Sequence, residues 1–354
     1  LGMIVVDEEH EYSYKQDESP RYHAKDVAIK LGELSQAIVI LGSATPSIET
    51  YYRAKQGQYV YLALPNRVGN RQLPKIDIID MRVKDTDIPK RTVISGILRG
   101  EIENCLLKKE QVFLFLNRRG TASFLQCREC GHTFNCKNCS VSLTFHSAEK
   151  LNRCHYCDYH VKAPDTCPEC KGTKISFSGI GTQKMEEDCR RLFPNARVLR
   201  MDRDTTKTKH AYYMIFKKIE KREVDILIGT QMIAKGHDFP FVTLVGVVAA
   251  DLSLNIPDFR SGERTFQLMT QVAGRSGRGD IAGKAVVQTY NPNNDIIKHG
   301  KNYDYENFAV REIEWRERLG YPPCAKMVGI KLESVNEEAV KEIAVQFAKS
   351  LKKT

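Results

Sequence analysis

The chain has 354 residues and 42% hydrophobic content, which at roughly 100–200 residues per domain predicts two or three domains with ordinary buried cores. No stretch approaches the roughly 20 consecutive apolar residues of a membrane span, and no basic stretch followed by an apolar run opens the chain, so neither membrane insertion nor secretion is expected. The formal net charge of +10 suits a polyanionic partner such as nucleic acid.

Apolar runs alternate with amphipathic stretches along the chain, the pattern of an α/β fold with parallel sheets. Met3 to Val6 is a short apolar run ending in Asp7, Glu8 and Glu9, and Leu1 leads straight into it, so the sequence reads as part of a longer protein. Ala37 to Leu41 is a second strand, closed by Gly42-Ser43-Ala44-Thr45-Pro46. Residues 1–64 are expected to form the later part of a first lobe. Residues 65–90, rich in Pro, Asp and Arg, are expected to be a linker. A second lobe is expected at 91–126 and 171–292, with strands at Gln111 to Leu116, Arg197 to Met201, Asp225 to Ile228, Leu244 to Ala249 and Ala285 to Thr289. A cysteine-rich block at 127–170 interrupts it and holds too few aliphatic residues for a core without metal. Residues 293–354 carry Tyr303, Tyr305, Phe308, Trp315 and Tyr321-Pro322-Pro323, which mark the start of an α+β domain, with a helix from Glu337 to Lys353.

Eight of the 11 cysteines fall into four C-x-x-C pairs: Cys127/Cys130, Cys136/Cys139, Cys154/Cys157 and Cys167/Cys170. With no secretion signal, this spacing points to metal ligation, not disulfides. Each turn places two thiolates on one side of an ion, so four turns hold two tetrahedral ions. Knuckle-like turns such as Cys127-Arg128-Glu129-Cys130-Gly131-His132 favour zinc over an iron–sulfur cluster, and the spacing allows several pairings of the turns. Cys105, Cys189 and Cys324 lack close thiol partners and are expected to be small buried residues. Arg128, Lys137, Arg153, His155, Tyr156 and Lys162 give the block a basic and aromatic character suited to DNA.

The remaining motifs read as a nucleotide motor. A strand ending in Asp7-Glu8-Glu9-His10 presents carboxylates at the carboxyl edge of a sheet, where Asp7 would hold Mg²⁺ of ATP and Glu8 would orient the attacking water. The string resembles the Walker B box of superfamily 2 helicases. His10, Ser43 and Thr45 are expected to line the nucleotide site, the two hydroxyls bridging the acidic box to neighbouring polar groups. Ile228 to Phe239 resembles helicase motif V, with Gly236 and Asp238 toward nucleotide and Thr230 and Gln231 toward a DNA backbone. Gln271-Val272-Ala273-Gly274-Arg275-Ser276-Gly277-Arg278 resembles motif VI, in which Gln271 faces nucleotide and two arginines three apart lie on one helix face. Arg278 is the expected arginine finger, with Arg275 beside it. No G-x-x-x-x-G-K-[ST] loop occurs, so the chain by itself is not expected to hydrolyse ATP. Tyr12, Tyr14 and Tyr22, interleaved with Lys15 and Arg21, suit stacking on unpaired bases with phosphate contacts.

Four C-x-x-C pairs placed after Phe115-Leu116-Asn117-Arg118-Arg119-Gly120 and before Gly179-Ile180-Gly181-Thr182-Gln183-Lys184 are similar to the PriA family of superfamily 2 helicases, as are Asp251 to Arg264 and Leu319 to Pro323. The resemblance covers nearly the whole chain and implies RecA-like lobes with a zinc module inside the second. It also implies a nested zinc pairing: Cys127, Cys130, Cys167 and Cys170 around one ion, and Cys136, Cys139, Cys154 and Cys157 around the other. The implied activity is ATP-dependent 3′-to-5′ unwinding at stalled forks and recombination intermediates in bacterial cytoplasm. Implied partners are forked and single-stranded DNA, single-stranded DNA-binding protein, other primosome proteins and the loader of the replicative helicase. The competing readings are a RecG-like fork remodeller, which the four cysteine pairs oppose, and a non-catalytic zinc-dependent DNA-binding or loading protein with a relic motor, which the intact motor motifs oppose.

Overall fold

Two parallel sheets of unequal size, a small antiparallel module and a set of crossing helices make up the chain. The computed structural model describes residues 1–354 except 17, 65–72, 84–91, 117–123, 148, 179–180, 203–204, 207, 231–238, 278–281, 331 and 352–354. In the first lobe, β1 (Met3–Val6) is followed by a 3₁₀ turn (Tyr12–Tyr14) and the short hairpin β2 (Lys15–Gln16) and β3 (Tyr22–His23). Helix α1 (Ala24–Ser35) then returns the chain to β4 (Ile38–Leu41), which pairs parallel to β1 from Met3↔Ile38 to Val6↔Leu41. Helix α2 (Ile48–Lys55) follows, capped by Ser47, whose hydroxyl accepts from the Thr50 N–H.

Residues 75–80, assigned to the linker on composition, form β5 (Lys75–Asp80). This strand pairs in parallel along its whole length with the last strand of the second sheet, so the linker reading is corrected there. Ile76 and Ile79, three apart and so on opposite faces, are buried in the two cores, and the polar residues around them lie at a sheet edge, the position that tolerates them. Helix α3 (Gly96–Leu107) and β6 (Gln111–Phe115) come next, then the strands of the cysteine-rich block: β7 (Phe124–Cys127), β8 (Thr144–His146), β9 (Leu151–Arg153), β10 (His160–Lys162) and β11 (Ile175–Ser178). β7 and β11 run antiparallel as two legs that carry the block, and β8, β9 and β10 form a three-stranded antiparallel sheet within it.

The second lobe continues with α4 (Thr182–Leu192), β12 (Val198–Met201), α5 (Lys209–Glu220), β13 (Ile226–Gly229), β14 (Val242–Val247), α6 (Ala250–Leu254), α7 (Ser261–Ala273) and β15 (Lys284–Thr289). Its six strands are all parallel in the order β12-β13-β6-β14-β15-β5. β6, β13 and β14 are buried at every position, as strands covered by helices on both faces must be. Alternation divides β6 between two cores. Phe113 and Phe115 meet Phe216, Met269 and Val272 from α5 and α7, while Val112 and Leu114 meet Leu98, Ile102 and Met185 from α3 and α4.

The final segment holds α8 (Asp295–Lys301), α9 (Tyr305–Leu319) and α10 (Glu337–Leu351). Ile297 of α8 joins the core under α7, so this helix belongs to the second-lobe body and not to the separate domain expected from residue 293. α9 lies between the lobes, where Phe308 stacks on Phe266 of α7 and Tyr305 meets Tyr51 of α2 edge-on. Gly320, with φ +66, ends it in a left-handed cap. Among the described residues no helix is long and apolar enough to cross a membrane.

Candidate nucleotide cleft and metal centres

The acidic box sits where β1 ends beside β4. Gly42 N–H donates to the Val6 carbonyl at 2.9 Å and Glu9 N–H to the Gly42 carbonyl at 3.0 Å, which lock the two strand ends together. Asp7 is exposed and Glu8 half-buried, and Glu8 adopts φ 47, a left-handed conformation rare for a residue with a side chain. Strained backbone of this kind gathers at functional sites. His10 Nδ1 lies 2.6 Å from Ser43 Oγ, and the same oxygen accepts the Thr45 N–H at 2.9 Å. Ser43 therefore joins the acidic box to the following segment.

Glu9 serves differently from its neighbours. Only 1% exposed, its carboxylate accepts from Lys25 Nζ at 2.8 Å, Ser47 N at 2.6 Å, Ser47 Oγ at 3.0 Å and Thr50 Oγ1 at 2.9 Å. Burial acts to raise its pKa, but the Lys25 ammonium and the surrounding donors outweigh it and hold the group below the ordinary carboxylate value. Glu9 thus bolts α1 and α2 to the box, a role that sequence reading missed because a third acid after Asp-Glu carries no sign of burial.

Helix α7 lies across this edge. Gln267 Nε2 donates to the Thr45 carbonyl at 3.4 Å, Glu263 Oε1 accepts the Ile48 N–H at 2.9 Å, and Gln271 Nε2 reaches Glu11 Oε1 at 3.4 Å. Between α7 and the first lobe opens a cleft of about 570 Å³, whose lining includes Lys15, Arg53 and Arg264. The Arg264 guanidinium lies 4.9 Å from the centre of the Tyr12 ring. Tyr12, Lys15, Arg21 and Tyr22 are exposed around the hairpin, whereas the half-buried Tyr14 donates its hydroxyl to the Asp7 carbonyl at 2.7 Å. Thr230 follows β13 and is half-buried.

Arg275, expected on a helix face, is not part of α7. α7 stops at Ala273, with Gly274 as its cap, and Arg275 lies in the turn beyond. Gly277 then takes φ +67 and hydrogen-bonds through N–H to the Val242 carbonyl at 3.1 Å, so the backbone leaves the helical path before position 278. A side chain at Gly277 would meet the Gly283 backbone at 2.3 Å, which requires glycine there. Arg275 is buried: burial pulls its pKa down, and the charge of Glu8 opposes the shift. Arg278, Gly236, Asp238 and Gln231 lie outside the described residues, as does Asn117 to Gly120.

The eight paired cysteines gather into two groups, Cys127/Cys130/Cys167/Cys170 and Cys136/Cys139/Cys154/Cys157, with the sulfurs of each group within 4.8 Å of one another. Three cross-pair separations are 3.6 Å for Cys127–Cys170, 3.6 Å for Cys130–Cys167 and 3.5 Å for Cys136–Cys157. A tetrahedral zinc with bonds of about 2.3 Å sets its sulfurs about 3.8 Å apart, so both groups suit one zinc each. All four turns repeat one backbone geometry. The first cysteine accepts at its carbonyl from the residue after the second cysteine, and that residue (Gly131, Ser140, Asp158 or Lys171) has positive φ. Amide donors turn toward the sulfurs, among them Tyr156 N–H to Cys154 at 3.4 Å and Asn138 Nδ2 to Cys157 at 3.5 Å. Burial and neighbouring thiols push Cys130 up to about 12, while the Tyr159 backbone N–H and the Asn138 amide draw Cys157 down to about 6. Four crowded sulfurs cannot all ionise without a cation among them, which is the condition a zinc ion supplies. Cys189 is fully buried as expected, and Cys105 and Cys324 are partly so.

The block is fastened at two places. Gln126, next to Cys127, donates to the buried Asp251 carboxylate at 3.0 Å, which also accepts from Thr289 Oγ1 at 3.1 Å and Tyr290 N at 2.9 Å. Arg128, one of the basic residues of the block, lies over the Tyr290 ring at 4.5 Å and donates to Ser176 Oγ at 2.6 Å. At the other end Tyr321 stacks on Phe259 at 4.9 Å and donates its hydroxyl to the Cys139 carbonyl at 2.8 Å. Tyr156 is drawn into the same contact, its hydroxyl accepting the Phe259 N–H at 3.4 Å.

Comparison with known proteins finds two family models. The PriA DNA helicase Cys-rich region (CRR) domain matches residues 136–162, and the helicase conserved C-terminal domain matches residues 171–280. Replication restart protein PriA of Bacillus subtilis is 47% identical over 349 residues, covering 99% of this chain and 43% of that protein. The proteins of the same name from Rickettsia felis and Synechocystis are 44% identical over 345 residues and 42% identical over 367 residues. They cover 97% and 100% of this chain, and 53% and 44% of their own lengths. The chain therefore spans about half the length of the curated relatives it matches.

Proposed function

The chain belongs to the PriA family, and on that premise we propose that it forms the later part of an ATP-dependent DNA helicase motor that opens stalled forks and recombination intermediates in the 3′-to-5′ direction and starts primosome assembly. The observation that carries the reading is the meeting of the acidic box and the residue after it with α7 and the turn beyond it: Arg275 is buried within the field of Glu8, and Gln271 of α7 reaches across the cleft to Glu11. In this reading Asp7 holds Mg²⁺ of bound ATP, Glu8 orients the attacking water, and His10, Ser43, Thr45, Gly236, Asp238 and Gln271 line the nucleotide. Arg278 serves as the arginine finger, with Arg275 holding charge balance beside the acidic box. ATP supplies the phosphoryl group, and the chain's own groups position it and neutralise charge.

Tyr12, Lys15, Arg21 and Tyr22 provide rings and cations for unpaired bases and phosphates, with Tyr14 as the anchor that ties their loop to Asp7. Thr230 and Gln231 meet the DNA backbone. The two cysteine groups hold two zinc ions in the nested pairing and give the motor a platform for separating strands or docking partners. Single-stranded DNA-binding protein, other primosome proteins and the replicative helicase loader are the partners this reading carries, and the bacterial cytoplasm is its location. Strand separation of forked DNA by the full-length protein tests it. Unwinding with 3′-to-5′ polarity that Arg278→Ala abolishes while fork binding survives is the expected result; unwinding retained by Arg278→Ala removes the finger assignment.

A further inference from the structure

Arg316 of α9 is completely buried, and its guanidinium touches more structural parts than any function assigned above requires. Nη2 donates to Glu263 Oε2 on α7 at 2.7 Å, Nε to Glu312 Oε1 one turn back on α9 at 3.0 Å, and Nη1 to the Pro322 carbonyl at 3.2 Å. Nη1 also lies 3.7 Å from Glu49 on α2, in the first lobe, where Arg260 shares the same carboxylate oxygen at 3.0 Å. The plane of the group sits over the Phe259 ring, 5.1 Å from its centre.

Each contact leads onward. The other oxygen of Glu263 accepts the Ile48 N–H at the start of α2, next to Ser47, which hydrogen-bonds Glu9 of the acidic box. Phe259 stacks on Tyr321, whose hydroxyl binds the Cys139 carbonyl, and both rings belong to the apolar cluster that contains Cys136 and Cys154. Removing a guanidinium and two carboxylates from water, with a third half-buried beside them, is poorly repaid as stability, so a network of this kind is better explained by the arrangement it specifies. Arginine suits the position because its flat fork serves several acceptors while its face lies on an aromatic ring.

We propose that Arg316 is a positioning residue that couples the inner cysteine group to the first lobe, so that the seating of the zinc platform sets the placement of Ser47 and Ile48 behind the acidic box. The inference rests on the motor reading for its purpose, but not for its test.

Hydrogen exchange in the full-length protein reads the coupling directly. Cys139→Ser, which weakens the inner group, should speed amide exchange at Ile48 to Tyr51 about tenfold when Arg316 is present and less than about twofold on an Arg316→Gln background, the size of a typical coupling between contacting groups. No change at Ile48 to Tyr51 in Cys139→Ser, or an equal change on both backgrounds, overturns the proposal. If Arg316→Gln fails to fold, Glu49→Gln takes its place in the cycle, since it removes only the half-buried first-lobe carboxylate; an undiminished response on that background overturns the proposal equally. In parallel, Glu49→Gln should lower DNA-stimulated kcat with KM for ATP unchanged. Absence of ATP turnover in the wild-type protein would count against the motor reading alone, because the exchange cycle decides the role of Arg316 without it.

Discussion

The two four-cysteine groups share a knuckle geometry and similar sulfur spacing, yet they are mounted in different ways. The outer group is held by polar bonds to the carboxyl ends of the second-lobe sheet, through Gln126, Asp251 and Thr289, and by Arg128 lying on Tyr290. Gly131, at φ +82, lies so close to the Tyr290 carbonyl that a side chain there would come within 2.0 Å of it. The inner group is held mainly by rings, with Phe259, Tyr321 and Trp315 packed against Cys136 and Cys154, and by fewer polar bonds, from Tyr321 to the Cys139 carbonyl and from Ser142 to Asn255. Directional bonds to a rigid sheet make the outer group an extension of the lobe. Packing against Trp315 seats the inner group on α9, the helix that also reaches the first lobe at Tyr51.

The largest expected effect comes from breaking the metal sites one at a time. Cys136→Ser should lower bound zinc from two ions to about one while leaving the outer group loaded, and structural zinc contributes about 10–16 kcal/mol in isolated zinc peptides. Retention of both ions by mass spectrometry would contradict the ligand grouping. Next in size is Asp251→Ala, which leaves the Gln126 and Tyr290 donors without their shared acceptor and should cost about 1–3 kcal/mol in thermal or denaturant unfolding. A loss confined to the inner group's surroundings would show that the mounts are not separate.

The ionic node behind the inner mount should respond to pH. Glu49, Glu263 and Glu312 face Arg260 and Arg316, leaving one carboxylate in excess, and burial pushes Glu312 from 4.5 up to about 7. A raised carboxyl favours the native state fully below its unfolded value and loses that contribution as pH rises through about 7. Glu312→Gln should therefore compare more favourably with wild type at pH 8 than at pH 5, by about 1–3 kcal/mol. Equal differences at the two pH values would remove the excess-charge account. The smallest effect belongs to Tyr321→Phe, which deletes the bond to Cys139 but keeps the ring stack and should cost about 1 kcal/mol.

Much of this arrangement was legible in the residues. Runs such as Gln111 to Leu116 lie within a turn of the observed strands because a sheet covered on both faces demands unbroken apolar sequence. The C-x-x-C pairs carried their chemistry in their spacing. Other features depended on burial or backbone path, which local pattern does not encode. Lys75 to Asp80 looked like linker because half of an edge strand is polar. Arg275 looked helical until the Gly274 cap and the turn at Gly277 removed it from the helix. Glu312 and Arg316 look like an ordinary i,i+4 surface pair; only the helices that close over them reveal a buried node.

ATP hydrolysis by the full-length protein with and without forked DNA tests most directly whether the acidic box and α7 belong to a working motor. Fork-stimulated turnover that Glu8→Gln abolishes while zinc content and fork binding stay intact is the predicted result. Zinc-loaded, fork-binding protein with no turnover, or turnover indifferent to Glu8→Gln, would contradict it.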